Sequence, residues 1–167
     1  MLIDHIDTTG MEKVKINLAQ LMKLKSRYEG LVSKTKSIVT QHNSVSEGTD
    51  HPDVRKAFDC HLVAVNRLVH IKHTLDEANK GQQRERIYLL SELKGLKSWL
   101  DGLDTSNGTS GSGPYQSKVL AEINWEEKSK LSSELEEAIF TRQDELDAYN
   151  ASTRVELPVE FLTPPTF

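Results

Sequence analysis

Leu89, Leu93, Leu96, Leu100 and Leu103 fall on a strict four-three spacing. Residues so spaced line up on one face of an α-helix and on no face of a strand. The same period recurs along most of the chain. Leu21, Leu24, Tyr28, Leu31, Thr35 and Ile38 form one row, and Val14, Leu18, Leu21, Tyr28, Val32 and Val39 form a second beside it. These rows predict a first helix over 11–42 with Thr9 as its N-cap. Phe58, Leu62, Val65, Val69 and Leu75 predict the buried face of a second, opened by Asp50 as cap and Pro52 in the first turn and closed by Gly81. The leucine row is the third helix, and the short link before it implies an antiparallel helical hairpin. Leu131, Leu135, Ala138, Ile139, Leu146 and Tyr149 mark a fourth, with Asn124 and Glu127 spaced as a capping box. The expected fold is mainly α: antiparallel helical hairpins or a bundle of four long helices.

One run breaks this pattern. "SNGTSGSGPYQ" (106–116) lies between the third and fourth helices. Residues 104–114 read as a flexible glycine-serine loop, spanning about 18 Å if unstructured. Tyr115, Ser117, Val119, Ala121 and Ile123 then alternate with polar neighbours, and "RVELPVEF" alternates again near the C-terminus. Short extended segments are therefore expected near 115–123 and 154–162, paired with each other or with another subunit. Residues 1–167 read as a single helical domain with an extended tail over 150–167.

Composition bears on assembly. Hydrophobic residues make up 37% of the chain and charged residues 28%. That is lean for four helices that must each cover an apolar stripe, so sister copies are expected to cover the remainder in a homo-oligomer. The net charge of −4 argues against a nucleic-acid partner. The single cysteine, Cys60, suits a reducing compartment and a cytoplasmic location, or the host cytoplasm for a phage-encoded chain. The opening "MLIDHIDTTG" has no signal-peptide character, and no stretch is apolar enough for stable membrane insertion. Charge is uneven. Residues 11–42 hold seven Lys or Arg against two Glu, and residues 122–149 hold nine Asp or Glu against three Lys or Arg. The two segments read as complementary rims packed together, or the first as a surface for an anion or membrane.

The stretch "HIKHTLDEANKGQQRER" (70–86) is the candidate site. A glycine turn opening a helix presents unpaired amide groups and the positive end of the helix dipole. Lys80, Gly81, Gln82, Gln83, Arg84 and Arg86, with His73, are the candidate ligand-binding residues for a small anion; a plain solvated turn is the competing reading. No Walker or dinucleotide glycine pattern accompanies them. His70, His73 and Glu77 share a helical face but have no second ligand cluster, so neither a metal nor a cofactor is expected. Cys60 and His61 are adjacent and point apart, which is not a catalytic dyad. No enzymatic motif is present. Trp99 and Trp125 read as packing residues near helix ends, and Trp125 as a candidate interface anchor.

"INLAQLMKLKSRYEGLVSKTKSIVTQHNSVSEG" resembles the opening of the septicolysin-like family of small helical bacterial and phage proteins. Leu18, Ala19, Asn43, Glu47, Gly48 and Asn79, and the later Glu145-Leu146-Asp147 step, carry the resemblance. The glycine-serine break and the proline-rich tail depart from the family pattern. The resemblance implies a helical oligomer, and the family name a cytolysin; it transfers no catalytic residue. The expected function is a non-enzymatic homo-oligomer that captures a small anionic ligand at subunit interfaces, a nucleotide signal sequestered in phage fashion being one form. A structural or adaptor subunit docking through Arg154 to Phe167 and a cytolysin-like membrane-active protein are the alternatives.

Overall fold

A computed structural model of the chain describes residues 6–44, 50–110, 113–115 and 117–167. Glu47 and Gly48, which carry part of the family resemblance, lie outside the described residues. The structure is mainly helical: β1 (Lys13–Asn17), α1 (Leu18–His42), α2 (Val54–Ala78), α3 (Gln82–Asp101), β2 (Gly108–Ser110), β3 (Ser117–Val119), α4 (Trp125–Ser152) and β4 (Arg154–Pro158). Its residues group into two compact units. Met1–Lys80 and Tyr149–Phe167 form a terminal unit, and Gly81–Ala148 form an inserted unit.

In the terminal unit the chain begins as a strand where a helix is expected. Lys13 and Lys15 are exposed while Val14 and Ile16 turn inward. A Val14-to-Leu18 step of four fits a helix, but it also fits two strand steps of two, and β-branched Val14 and Ile16 suit the strand. The helix starts instead at a capping box. Asn17 Oδ1 accepts from the Gln20 amide at 2.7 Å, and Gln20 Oε1 accepts from the Asn17 amide at 3.0 Å. The cap of α2 is likewise Asp53 rather than Asp50, and its carboxylate accepts from the Lys56 amide at 2.9 Å.

α1 and α2 pack antiparallel. Glu29 meets Lys72 at 3.5 Å, Arg67 reaches the Tyr28 hydroxyl at 3.4 Å, and Thr35 meets His61 Nδ1 at 2.9 Å, so positions rise on one helix as they fall on the other. The buried row of α2 is Ala57, Cys60, Ala64, Leu68 and Ile71. The expected row of larger residues sits on its flanks, and Val69 is half exposed. Small side chains let the two backbones approach, so the close-packed face is not the bulkiest one.

The expected extended segments do not pair with each other. β4 pairs antiparallel with β1, setting Val14 opposite Leu157 and Ile16 opposite Val155. β3 pairs with β2, which lies inside the glycine-serine run. The tail beyond β4 then runs along the α1–α2 groove. Phe161 is buried under Tyr28, whose hydroxyl donates to the Phe161 carbonyl at 3.0 Å. Arg67 donates to the Glu160 carbonyl at 3.0 Å and stands over the Phe161 ring at 5.3 Å. Further along, Pro165 meets Cys60 and the Phe167 ring lies under the Lys34 ammonium. The segment expected to dock on a partner is part of the chain's own core, with Ile16, Leu18, Leu21, Leu24, Tyr28, Leu68, Ile71, Leu157 and Phe161.

In the inserted unit, α3 and α4 run antiparallel, bridged by Lys94 to Gln143, Lys97 to Glu136 and Asp101 to Ser132. Asn124 caps α4 as expected, accepting from the Glu127 amide at 2.9 Å. Trp99 and Trp125 are exposed rather than packed.

Phe161→Ala should destabilise the terminal unit by about 3–5 kcal/mol, read from urea unfolding; an unchanged midpoint would remove the tail from the core. Burial raises the Tyr28 hydroxyl above its usual pKa, opposed by Arg67. The folded state therefore prefers neutral Tyr28. Its contribution is complete below about pH 10, where an unfolded tyrosine titrates, and is lost as pH rises toward the folded value. Stability above about pH 10 should accordingly fall more steeply in the wild type than in Tyr28→Phe.

Candidate anion-binding groove

The β1–β4 pairing creates a groove that neither strand makes alone. It holds about 510 Å³ and lies between the ribbon and the C-terminal half of α2. In the ladder Asn17 faces Arg154, Lys15 faces Glu156 and Lys13 faces Pro158. Directly opposed residues share a face, so Lys13, Lys15, Asn17, Arg154 and Glu156 lie on one face of the ribbon, while Ile16 and Leu157 of the other face are buried; Pro158, opposite Lys13, is buried as well. From α2 come His70, His73, Thr74 and Glu77, and Thr8 and Thr153 also line the groove.

The charges on this groove are unevenly satisfied. Glu77 is held by Lys80 at 2.6 Å, and Glu156 lies 4.0 Å from Lys15. Lys13 and Arg154 line the groove with no ion-pair partner among the described residues. They sit four ladder positions apart, about 13 Å along the ribbon. Two cations with hydroxyl and imidazole groups between them suit an elongated anion with more than one charged group. Other hollows are less suited. The larger one between the end of α1 and the start of α2, about 1030 Å³, is lined by one Lys or Arg, Arg55, already paired with Asp59 at 3.4 Å. A hollow along α4 is lined by Glu134, Glu137 and Glu145.

Of the expected site residues, His73 lines this groove. Lys80 belongs to the same unit but its ammonium is occupied by Glu77. Gly81, Gln82, Gln83, Arg84 and Arg86 belong to the inserted unit. Gly81 takes the left-handed conformation expected of it, with φ of 71°, and no side chain caps α3. Arg84 is half-buried and Arg86 exposed. Gln83 is buried, and its amide nitrogen has no hydrogen-bond partner among the described residues. Lys13 and Arg154 were not among the expected site residues. The alternating strings "KVKIN" and "RVELP" are their only local signal, and neither string says which other strand it meets.

Among the described residues no three His, Cys, Asp or Glu side chains gather into a metal site. The His70 ring stands edge-on to Phe161 at 5.4 Å. Cys60 is buried against the Pro165 carbonyl at 3.7 Å, and burial raises its thiol pKa, with Lys56 opposing. Such a thiol resists forming the thiolate that nucleophilic chemistry needs. Among the described residues no helix is long and apolar enough to cross a membrane.

Gln83→Leu should raise stability by about 1 kcal/mol in thermal or urea unfolding, because it replaces a buried unpaired donor with an apolar group of similar size. A loss of similar size would mean that the amide is satisfied. Comparison with known proteins finds no matching family model, no matching curated protein and no matching solved structure.

Proposed function

We propose that this chain is a non-enzymatic, homo-oligomeric binding protein that captures a small anionic ligand, and that the groove between β1, β4 and α2 holds it. The observation that carries this reading is the pair Lys13 and Arg154, each facing the groove without an anionic partner among the described residues. A groove of about 510 Å³ is of small-molecule size, since ligand pockets span roughly 300–1,000 Å³. Arg154 offers a planar fork of donors to a phosphate or carboxylate, and Lys13 offers a point charge. Thr8, Thr74 and Thr153 supply hydroxyls, and His73 a ring nitrogen. A nucleotide fits this chemistry: its phosphates meet the cations, and its base meets the half-exposed side chain of Val155 at the groove. Sequestration of a nucleotide signal, as a phage protein would perform it, needs only binding. The start of α3, with Gln82, Gln83, Arg84 and Arg86, is a second place for an anion in the same reading. Exposed apolar side chains on the inserted unit also favour an assembly or adaptor subunit.

Native mass spectrometry of protein purified from cells tests for a retained ligand, and calorimetric titration with a panel of nucleotides tests for capture. Lys13→Ala with Arg154→Ala should weaken capture about 10-fold to 100-fold at low salt, without altering the far-ultraviolet circular dichroism spectrum. Loss of capture in Arg84→Ala with Arg86→Ala instead would move the anion to the start of α3. A protein that emerges empty and ignores every nucleotide at millimolar concentration would refute the capture reading.

A further inference from the structure

The groove and the tail are built from the same pieces of chain. Arg154, Val155, Glu156 and Pro158 of β4 line the groove, and Val159 follows Pro158 without a linker into the turn that buries Phe161. On the α2 side His70 serves both: it lines the groove, and its ring stands edge-on to Phe161 at 5.4 Å. We infer that residues 159–167 form a strap linked to the groove: an anion held by Lys13 and Arg154 fastens the tail, and a released tail loosens the groove and uncovers Cys60. The anion's part in this linkage rests on the capture reading; the strap does not.

The fastening is concentrated at one point. Arg67 of α2 donates to the Glu160 carbonyl at 3.0 Å and to its carboxylate at 3.2 Å, and stands over the Phe161 ring. Tyr28 donates to the Phe161 carbonyl at 3.0 Å. Beyond this anchor the holding thins. Among the described residues no backbone–backbone hydrogen bond holds 163–167. The Thr163 carbonyl accepts from Arg67 at 3.5 Å, the Pro165 carbonyl from the Cys60 thiol at 3.7 Å, and the Phe167 ring lies 5.1 Å from the Lys34 ammonium. A segment with one anchor and few hydrogen bonds opens locally at lower cost than the helices beneath it. The effect of opening reaches β4. That strand has five residues and one partner strand, too little to hold as an isolated ribbon, so loss of the anchor loosens the strand that carries Arg154. Linkage runs both ways: an anion that binds only the groove of docked β4 stabilises the docked tail by the same factor. Arg67 does not line the groove, so it acts on capture as a positioning residue.

Cys60 is the chain's single cysteine and is buried beside Pro165, so its labelling by a thiol reagent reads the strap in the full chain. Arg67→Ala should speed labelling about 10-fold or more with no ligand present. Glu160→Gln, which removes one half-exposed carboxylate and serves should Arg67→Ala fail to fold, should speed it about 2-fold to 5-fold. Labelling as slow as the wild type's in every variant that folds overturns the strap. ATP at about ten times its dissociation constant should slow wild-type labelling about 10-fold relative to sodium chloride of equal ionic strength. Lys13→Ala with Arg154→Ala should abolish that protection, and Arg67→Ala should weaken ATP capture about 10-fold in calorimetric titration. ATP that binds yet leaves labelling unchanged, or protection that persists in the Lys13 and Arg154 double variant, overturns the linkage and spares the capture of an anion. ATP that does not bind at millimolar concentration overturns the anion's part together with the capture reading, and the ligand-free variants then decide the strap.

Discussion

Pairing of β1 with β4 is the constraint on which the terminal unit depends. Each strand has five residues, and two such strands are not stable as an isolated ribbon. They hold because each continues directly into something packed. β1 passes into α1 at the Asn17 capping box, and the Leu18 amide donates across to the Thr153 carbonyl at 3.2 Å. β4 passes into the turn that buries Phe161 beneath Tyr28. The Tyr149 hydroxyl, in the same unit, donates to the Ala78 carbonyl at the end of α2 at 2.6 Å. The ribbon, the α1–α2 hairpin and the end of α4 are thus fixed by one another.

The groove is a consequence of that pairing. Its cations come from opposite ends of the chain, Lys13 and Arg154, and only the ladder places them on one surface. Glu156 would cancel part of this charge were it not opposite Lys15, and Glu77 would cancel more were it not held by Lys80. These contacts are exposed and contribute little to stability, of order 0–1 kcal/mol each. Their effect is on the local potential: they occupy the groove's carboxylates and leave its remaining cations to meet a ligand.

The inserted unit poses the opposite problem. Its buried apolar side chains among the described residues are Leu90 and Leu100, although large apolar residues are plentiful on both its helices. Two helices can hide only the stripes they turn toward each other, and here the facing stripe of α3 also holds Lys94, Lys97 and Asp101. A composition that looks lean is therefore partly a matter of distribution. The terminal unit buries most of its large apolar side chains, though Met22, Val63 and Val69 stay exposed, while the inserted unit leaves Leu89, Leu96 and Trp99 facing outward.

Periodicity was sufficient to place the helices because it repeats over several turns, as in Leu21, Leu24 and Tyr28 of α1. Local chemistry was sufficient where a single side chain or backbone angle decides a boundary. Asn124 at the start of α4 and Gly81 before α3 are such positions. Five residues of "KVKIN" do not distinguish strand from helix, since Val14 and Leu18 satisfy both periods. Nor does local sequence say that Ala57, Cys60 and Ala64, rather than the bulkier Phe58, Leu62 and Val65, face α1. Partners outside the segment decide both points: β4 pairs with β1 from more than a hundred residues away, and α1 meets α2 through contacts such as Thr35 to His61 and Tyr28 to Arg67. The sequence by itself determined where backbone hydrogen bonds close within one segment, because a helix satisfies its amides locally. The tertiary structure alone decided the β1–β4 ladder, the burial of Phe161 and the meeting of Lys13 with Arg154 on one groove, because those hydrogen bonds and contacts close between distant segments.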